Sequence, residues 1–122
     1  MMPREVTVFL SGFHMGWASL CQLDELVPGE GHLAEVDGFK LAVFLDGGQV
    51  YVLDNECPHA KGSLGHGHVD RGCAVCPLHA WAFRLTDGSM RDNPGVRIRT
   101  YPTRLKTLPD GRVLVQAELP LP

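Results

Sequence analysis

Short hydrophobic runs separated by Asp-Gly dipeptides set the strongest limit on the fold of this chain. Asp-Gly occurs four times in the 122 residues. It favours tight turns between antiparallel strands, because Gly accepts positive φ and Asp caps the turn. Helical signals are weak, and only residues 22–27 predict a turn of helix. We therefore predict an all-β fold, an antiparallel β sandwich or barrel. The predicted strands lie at residues 32–36, 39–45, 49–53, 96–101 and 112–118.

The segment at about residues 56–92 departs from this strand pattern. It is rich in Gly, His, Pro and Cys, and it lies between the two strand-rich parts of the chain. Segments of this kind often carry function on a rigid scaffold. A length of 122 residues fits a single domain. We predict an N-terminal arm at residues 1–15 and one domain at residues 16–122, with a functional insertion at about 56–92.

Two pairs of sulfur and nitrogen donors lie in this insertion. Cys57 and His59 form the first pair, and Cys76 and His79 form the second. Thiolates and imidazoles suit zinc or the iron of an iron–sulfur centre. Zinc gathers four ligands around one ion, whereas a Rieske centre places two cysteines on one iron and two histidines on the other. The donor types alone leave open an iron–sulfur centre, a zinc-binding interaction module, or four unrelated buried residues.

The two donor loops resemble those of a known family. Cys-Pro-His at residues 57–59 and Cys-Pro-Leu-His at residues 76–79 resemble the cluster-binding loops of Rieske-type [2Fe–2S] ferredoxins. The resemblance extends from about Trp17 to Leu119. Within the family, the chain length and the ending "VRIRTYP…DGRVLV" are most similar to the small subunit of assimilatory NAD(P)H nitrite reductase. Ferredoxin components of ring-hydroxylating dioxygenases are nearly as similar.

This resemblance implies a Rieske-type β fold with a small cluster-binding subdomain. It also implies one [2Fe–2S] cluster per chain, which carries single electrons. The chain would then have no catalytic residues and no substrate site of its own, and it would serve as the electron-transfer subunit of a larger oxidoreductase complex. The cluster ligands implied by the resemblance are Cys57, His59, Cys76 and His79.

Four further positions predict the reduction potential. High-potential members of the family carry an extra cysteine in each loop, and these two cysteines form a disulfide; the corresponding residues here are Gly62 and Leu78. High-potential members also carry a Ser and a Tyr that hydrogen-bond to sulfur, where this chain has Trp81 and Phe83. Fewer hydrogen bonds to sulfur lower the potential. We therefore expect the low end of the roughly −150 to +300 mV Rieske range.

The remaining cysteines and the neighbouring histidines have simpler interpretations. Cys73 is expected to be a small apolar residue on the strand leading into the second loop, and Cys21 a core residue. A zinc or redox role for Cys73 with Cys76 is the less favoured alternative. His66 and His68 are expected in a solvated turn.

Charge and hydropathy bear on partners and location. The net charge is −3, and no basic stripe interleaved with aromatics is present, so we expect no nucleic-acid partner. No apolar run approaches the roughly 18 residues of a spanning helix, so we expect no membrane partner. The first residues make a poor signal peptide, which predicts a cytoplasmic location. The expected partner is a redox protein, either a nitrite reductase large subunit or an oxygenase or its reductase.

Overall fold

The structure, a computed structural model, describes residues 14–58 and 62–121. Strands dominate this part of the chain, which confirms the predicted all-β class. Two short 3₁₀ turns, Leu23–Glu25 and Leu64–His66, interrupt them. The strands are β1 His14–Gln22, β2 His32–Val36, β3 Phe39–Asp46, β4 Gln49–Asp54, β5 His68–Asp70, β6 Cys73–Val75, β7 Ala82–Arg84, β8 Ser89–Met90, β9 Asn93–Arg97, β10 Thr100–Tyr101, β11 Thr103–Thr107 and β12 Val113–Leu121.

The strands form three antiparallel sheets. The first has the order β1-β12-β11, the second β10-β4-β3-β2, and the third β5-β6-β7-β8-β9. The second sheet is central, because its two faces pack into different cores. Leu41 and Val43 of β3 point into the core shared with the first sheet, whereas Ala42 and Phe44 point into the core shared with the third. Burial on both faces explains why residues 41–44 are continuously apolar.

The third sheet forms a small subdomain beside the central sheet. It runs from His68 to Arg97, and Phe83 of β7 packs between it and the central sheet. Backbone hydrogen bonds join this subdomain to the rest of the chain. Val69 N–H donates to Gly29 O at 2.7 Å, and Gly31 N–H donates to Gly67 O at 2.9 Å. These bonds hold the subdomain against the segment that leads into β2.

The prediction of one strand over residues 96–101 is wrong. β9 ends at Arg97 and β10 begins at Thr100, and the two strands belong to different sheets. Ile98 points into the core below the third sheet, while Tyr101 points into the opposite core. The chain crosses between sheets here without losing its alternation, so the period-2 pattern gives no sign of the break.

The other four predicted strands are confirmed, with ends that differ by up to three residues. All four Asp-Gly dipeptides lie at or beside turns between strands. In the β2–β3 turn, Asp37 and Gly38 have φ of +48° and +84°, as a two-residue hairpin loop requires. The turn of helix predicted at residues 22–27 is the 3₁₀ turn Leu23–Glu25. β1 begins at His14, near the end of the predicted arm, whose residues 1–13 lie outside the described part of the chain.

Candidate metal centre

The two cysteine loops close in the same way. Cys57 N–H donates to Gly62 O at 2.9 Å, and Cys76 N–H donates to Trp81 O at 2.8 Å. Each bond joins a cysteine to the carbonyl five residues later, and in each loop a proline follows the cysteine. The first loop leaves β4 of the central sheet, and the second joins β6 to β7 of the third sheet. The fold thus brings two matching loops together from two different sheets.

Both cysteine side chains lie inside the protein. Cys57 and Cys76 are both fully buried, and they belong to the same hydrophobic core. A Cβ atom at Gly62 would come within 2.5 Å of Cys76 Sγ, so the sulfur occupies the space that any other residue at position 62 would fill. The cysteines predicted as ligands therefore form a buried sulfur pair.

The surroundings of the sulfur pair suit a bound metal. Burial raises the pKa of the Cys76 thiol, and the hydrogen bond with Cys57 raises it further, while a hydrogen bond from Leu78 N–H to the sulfur lowers it. Thiolates without a counter-charge are costly in such a dry site. A cation bound between the two sulfurs would supply that charge. The thiol donors and their burial therefore fit the iron of a cluster.

His79 lies on the outer side of the second loop. His79 is exposed, and its φ is +63°; the next residue, Ala80, has φ of +56°. Two consecutive non-glycine residues in this region are uncommon and often occur at functional sites. The predicted ligand His59 lies outside the described residues. Within residues 14–58 and 62–121, no three His, Cys, Asp or Glu side chains converge on one metal position.

Asn55 supports the first loop from below. It is buried, with 6% of its surface exposed. Its Oδ1 accepts a hydrogen bond from Gly65 N–H at 2.6 Å, and its Nδ2 donates to Ser63 Oγ at 3.0 Å. Its backbone carbonyl accepts from Leu64 N–H at 2.9 Å. Sequence reasoning missed this residue, although a polar side chain directly after the apolar strand β4 was a usable signal.

Tyr101 and Asp54 form a second supporting contact. The Tyr101 hydroxyl donates to Asp54 Oδ1, and Asp54 is the last residue of β4 before Asn55. Burial raises the pKa of Tyr101, and the bond to Asp54 raises it further. The guanidinium of Arg99 lies 5.4 Å from the centre of the Tyr101 ring. This contact joins β10 to the end of β4, from which the first loop leaves.

The remaining cysteines and histidines lie as expected except His68, which begins strand β5 instead of lying in a turn. Cys73 is buried on β6, and Cys21 is half-buried on β1, where burial raises the pKa of its thiol to about 11. His66 and His68 are exposed, and His66 Nδ1 lies 2.7 Å from Ser63 Oγ. Phe83 is fully buried in the core beneath the loops.

The fold and the site define a class. A three-sheet β protein with a buried pair of cysteines, presented by two matching loops, has the framework of a small iron–sulfur protein. The sequence model of the Rieske [2Fe–2S] domain family matches residues 16–102, and the chain therefore belongs to this family. Membership implies a Rieske-type [2Fe–2S] cluster, and it sets aside the zinc-binding alternative.

Two kinds of relatives are similar to this chain. The anthranilate 1,2-dioxygenase ferredoxin subunit of Burkholderia cepacia is 34% identical over 101 residues, which cover 81% of this chain and 90% of that subunit. A Mycobacterium tuberculosis structure assigned as an NADH-dependent nitrite reductase small subunit is 33% identical. Its TM-score is 0.71, with 84% of this chain and 96% of that one covered.

A third similar protein is the ferredoxin of carbazole 1,9a-dioxygenase from Nocardioides aromaticivorans. It is 30% identical, with a TM-score of 0.69, and 81% of this chain and 95% of that one are covered. Together with the family match, these similarities show a Rieske ferredoxin that carries electrons. No helix in the described part of the chain is long and apolar enough to cross a membrane.

Proposed function

We propose that the electron-carrying cluster is held by two pairs of ligands. Cys57 and Cys76 would hold one iron from the buried side, and His59 and His79 would hold the other. The observation that carries this assignment is the burial of both cysteines in one core, where two loops from different sheets meet. When bound, the cluster accepts and releases one electron at a time.

The protein residues divide the site into a dry side and an exposed side. The core around Phe83 and Leu64 excludes water from the sulfur pair. Leu78 is 47% exposed, and His79 beside it is exposed as well. Electron transfer is fastest where the donor and acceptor approach most closely. The tip of the second loop is therefore the proposed surface for electron exchange with a partner.

The site favours a low reduction potential. Phe83 is fully buried and offers no hydroxyl, and Trp81, which packs at the edge of the same core, offers none either. Leu78 N–H still donates to the Cys76 sulfur, as a backbone amide can in any sequence. Without the added hydroxyl donors, the potential is proposed to lie near the low end of the roughly −150 to +300 mV range.

The proposed partner is the large subunit of an assimilatory nitrite reductase, and the proposed location is the cytoplasm. The similarity to the nitrite reductase small subunit supports this choice, since the two chains match over nearly their full lengths. The second candidate is an oxygenase partner, which the similarity to the two dioxygenase ferredoxins supports. Both candidates need the same one-electron chemistry, so the site does not separate them.

Two experiments test these proposals. A strain lacking this chain should lose growth on nitrite as its only nitrogen source; unchanged growth on nitrite, with loss of growth on an aromatic carbon source, would select the oxygenase partner. For the ligands, Cys57→Ser should lower the iron content of the purified protein, and Cys73→Ser is the matched control. Equal iron in the two variants would remove Cys57 from the ligand set.

A further inference from the structure

Strand β11 is an open edge of the first sheet. Within the described part of the chain it pairs with β12 alone, and residues 104–107 are all exposed. Leu105, in the middle of the strand, has 51% of its surface exposed. An edge strand presents backbone N–H and C=O groups that a further strand can pair with. β11 is therefore a candidate for pairing with a segment of another protein.

Three other edge strands are less open than β11. β9 contains Pro94, which has no N–H to donate to a neighbouring strand. β1 is irregular between Ser19 and Cys21, and such a bulge twists an edge away from pairing. The backbone of β2 is covered at Leu33, because a Cβ atom at Gly65 would lie 2.9 Å from its Cα. β11 has neither a proline nor a break in its register.

Arg104 of β11 is held in place before any partner binds. Its Nε–H donates to Gln116 Oε1 at 2.7 Å, and its guanidinium lies 4.3 Å from the centre of the Trp17 ring. Gln116 is buried, and its Nε2 donates to Ser19 Oγ at 3.0 Å. These contacts cross all three strands of the first sheet. Binding through an ordered guanidinium costs less conformational entropy, and its two terminal nitrogens suit a carboxylate.

The charge of β11 indicates the chemistry of the segment that it would bind. Arg104 and Lys106 alternate along the strand, so both lie on the same face of the sheet. Neither makes an ion pair among residues 14–58 and 62–121, although the chain as a whole has a net charge of −3. A second copy of β11, paired antiparallel along its full length, would place Arg104 opposite Lys106, and like charges directly opposite are destabilising. An acidic strand would place carboxylates there instead.

We propose that the edge of β11 is an interaction surface, at which an extended acidic segment of the redox partner pairs as a fourth strand of the first sheet. Backbone hydrogen bonds would supply affinity, and carboxylates opposite Arg104 and Lys106 would supply specificity. The first sheet packs through a core separate from that of the cysteine loops, so the exchange surface at Leu78 stays accessible. The inference rests on the proposed function, since it describes how the partner attaches.

The test uses the purified full chain with its iron bound and a fluorescein-labelled peptide as the probe. The peptide alternates glutamate with valine over about seven residues, the length of an ordinary strand, and the control peptide carries lysine in place of glutamate. Fluorescence anisotropy should show that the glutamate peptide binds about tenfold or more tightly than the lysine peptide, and that salt weakens its binding. With the glutamate peptide bound, hydrogen exchange should slow by about tenfold in β11 and stay unchanged in β9.

A charge-reversed variant tests the contribution of β11 directly. Lys106→Glu should weaken binding of the glutamate peptide by about fivefold or more. Arg71→Glu is the matched control, because it changes the net charge equally at an exposed side chain in the turn between β5 and β6. The control variant should bind the peptide as the wild type does.

Equal binding of the two peptides, or unchanged hydrogen exchange in β11, would overturn the inference. A dimer in sedimentation, with β11 already protected in the absence of peptide, would also overturn it in favour of a second copy of the chain. Iron content is a separate readout. A fully iron-loaded chain that binds neither peptide contradicts only this inference, whereas a chain without iron that binds the glutamate peptide contradicts only the proposed function.

Discussion

Asn55 shows how a single polar residue can position a metal-binding loop. Its side chain and backbone bond to three consecutive residues of the following segment, Ser63 to Gly65, while the cysteine loop lies in between. A buried amide with satisfied partners holds one geometry, whereas a buried amide without them is costly. The first loop is therefore fixed at its base, and Cys57 stays in place beneath it.

Asn55→Ala tests this role. It should lower the free energy of unfolding by about 1–3 kcal/mol, because Gly65 N–H loses its buried acceptor. Urea denaturation followed by circular dichroism measures the change. Asn93→Ala is the matched control, since Asn93 is exposed and should give a small effect. Equal losses in the two variants would show that Asn55 does not hold the loop.

Tyr101 predicts a pH dependence of stability. Burial raises the pKa of its phenol above the ordinary value of 10.0, so the folded state holds the proton more tightly than the unfolded state. The resulting stabilisation is complete below about pH 10 and is lost as the pH rises above it. Tyr101→Phe should lower stability by about 1–3 kcal/mol at neutral pH, through loss of the bond to Asp54.

The pH comparison isolates the phenol. Cys21, whose pKa is raised to about 11, also destabilises the fold as it ionises above its ordinary value of 9.0. This loss is common to the wild type and to Tyr101→Phe, so only the difference between them reports on Tyr101. Urea unfolding from neutral to about pH 11 should show a smaller decline in the variant. Parallel declines would contradict the assignment.

For single residues, the sequence indicated the candidate metal-binding cysteines better than it indicated the residues that position their loops. The Cys-Pro motifs singled out Cys57 and Cys76, which the structure places in the same buried core. The sequence did not reveal Asn55 or Tyr101, because their roles depend on partners 8 to 47 residues away. The spacing of residues within a short motif gives no information about a contact between residues so far apart in the sequence. His59 stays a prediction.

The segment Leu64–Gly67 connects the first cysteine loop to strand β5 and packs closely against β6. Gly67 N–H donates to Leu64 O at 2.9 Å, and its carbonyl accepts from Gly31 N–H. A Cβ at Gly67 would lie 1.9 Å from Val75 O, a backbone atom of β6 that cannot move aside cheaply. Glycine is therefore required here by close packing and not by its φ, which is −94°.

Gly67→Ala should destabilise the fold by about 3 kcal/mol or more, because the added methyl overpacks against backbone. Gly95→Ala is the control, since its nearest contact, Asn93 Oδ1 at 3.5 Å, is an ordinary one. It should change stability by less than about 0.5 kcal/mol. Soluble yield and thermal unfolding compare the two variants. A stable Gly67→Ala protein would show that β6 and this segment are not packed as described.

Elements with local signals were predictable, and those without them were not. Asp-Gly turns and apolar runs predicted β2, β3 and β4, whose pairing is a simple meander. The crossing from β9 to β10 was missed, because alternation continues while the chain changes sheets. The two-residue strands β8 and β10 are too short for any periodic signal.

A bound cluster would help to hold the whole molecule together. Cys57 follows the central sheet, Cys76 follows β6 of the third sheet, and both lie in the core between these sheets. A cluster bound to both therefore links two layers of the fold. The first sheet, on the far side, packs through a separate core and should be stabilised less.

Removing the iron with a chelator should destabilise the third sheet more than the first. Hydrogen exchange in β6 and β7 should speed up by about tenfold or more, since bound cluster stabilises only the conformations that hold it. Exchange in β1 and β12 should change much less. Hydrogen–deuterium exchange with mass spectrometry, under reducing conditions, measures both. Equal acceleration in all three sheets would contradict the layered account.

This chain carries electrons on a Rieske cluster. The most direct test is an EPR spectrum of the purified protein before and after dithionite, together with metal analysis. We expect a red-brown protein with two irons per chain and a rhombic signal only after reduction. A colourless, EPR-silent protein with a single zinc ion would contradict it.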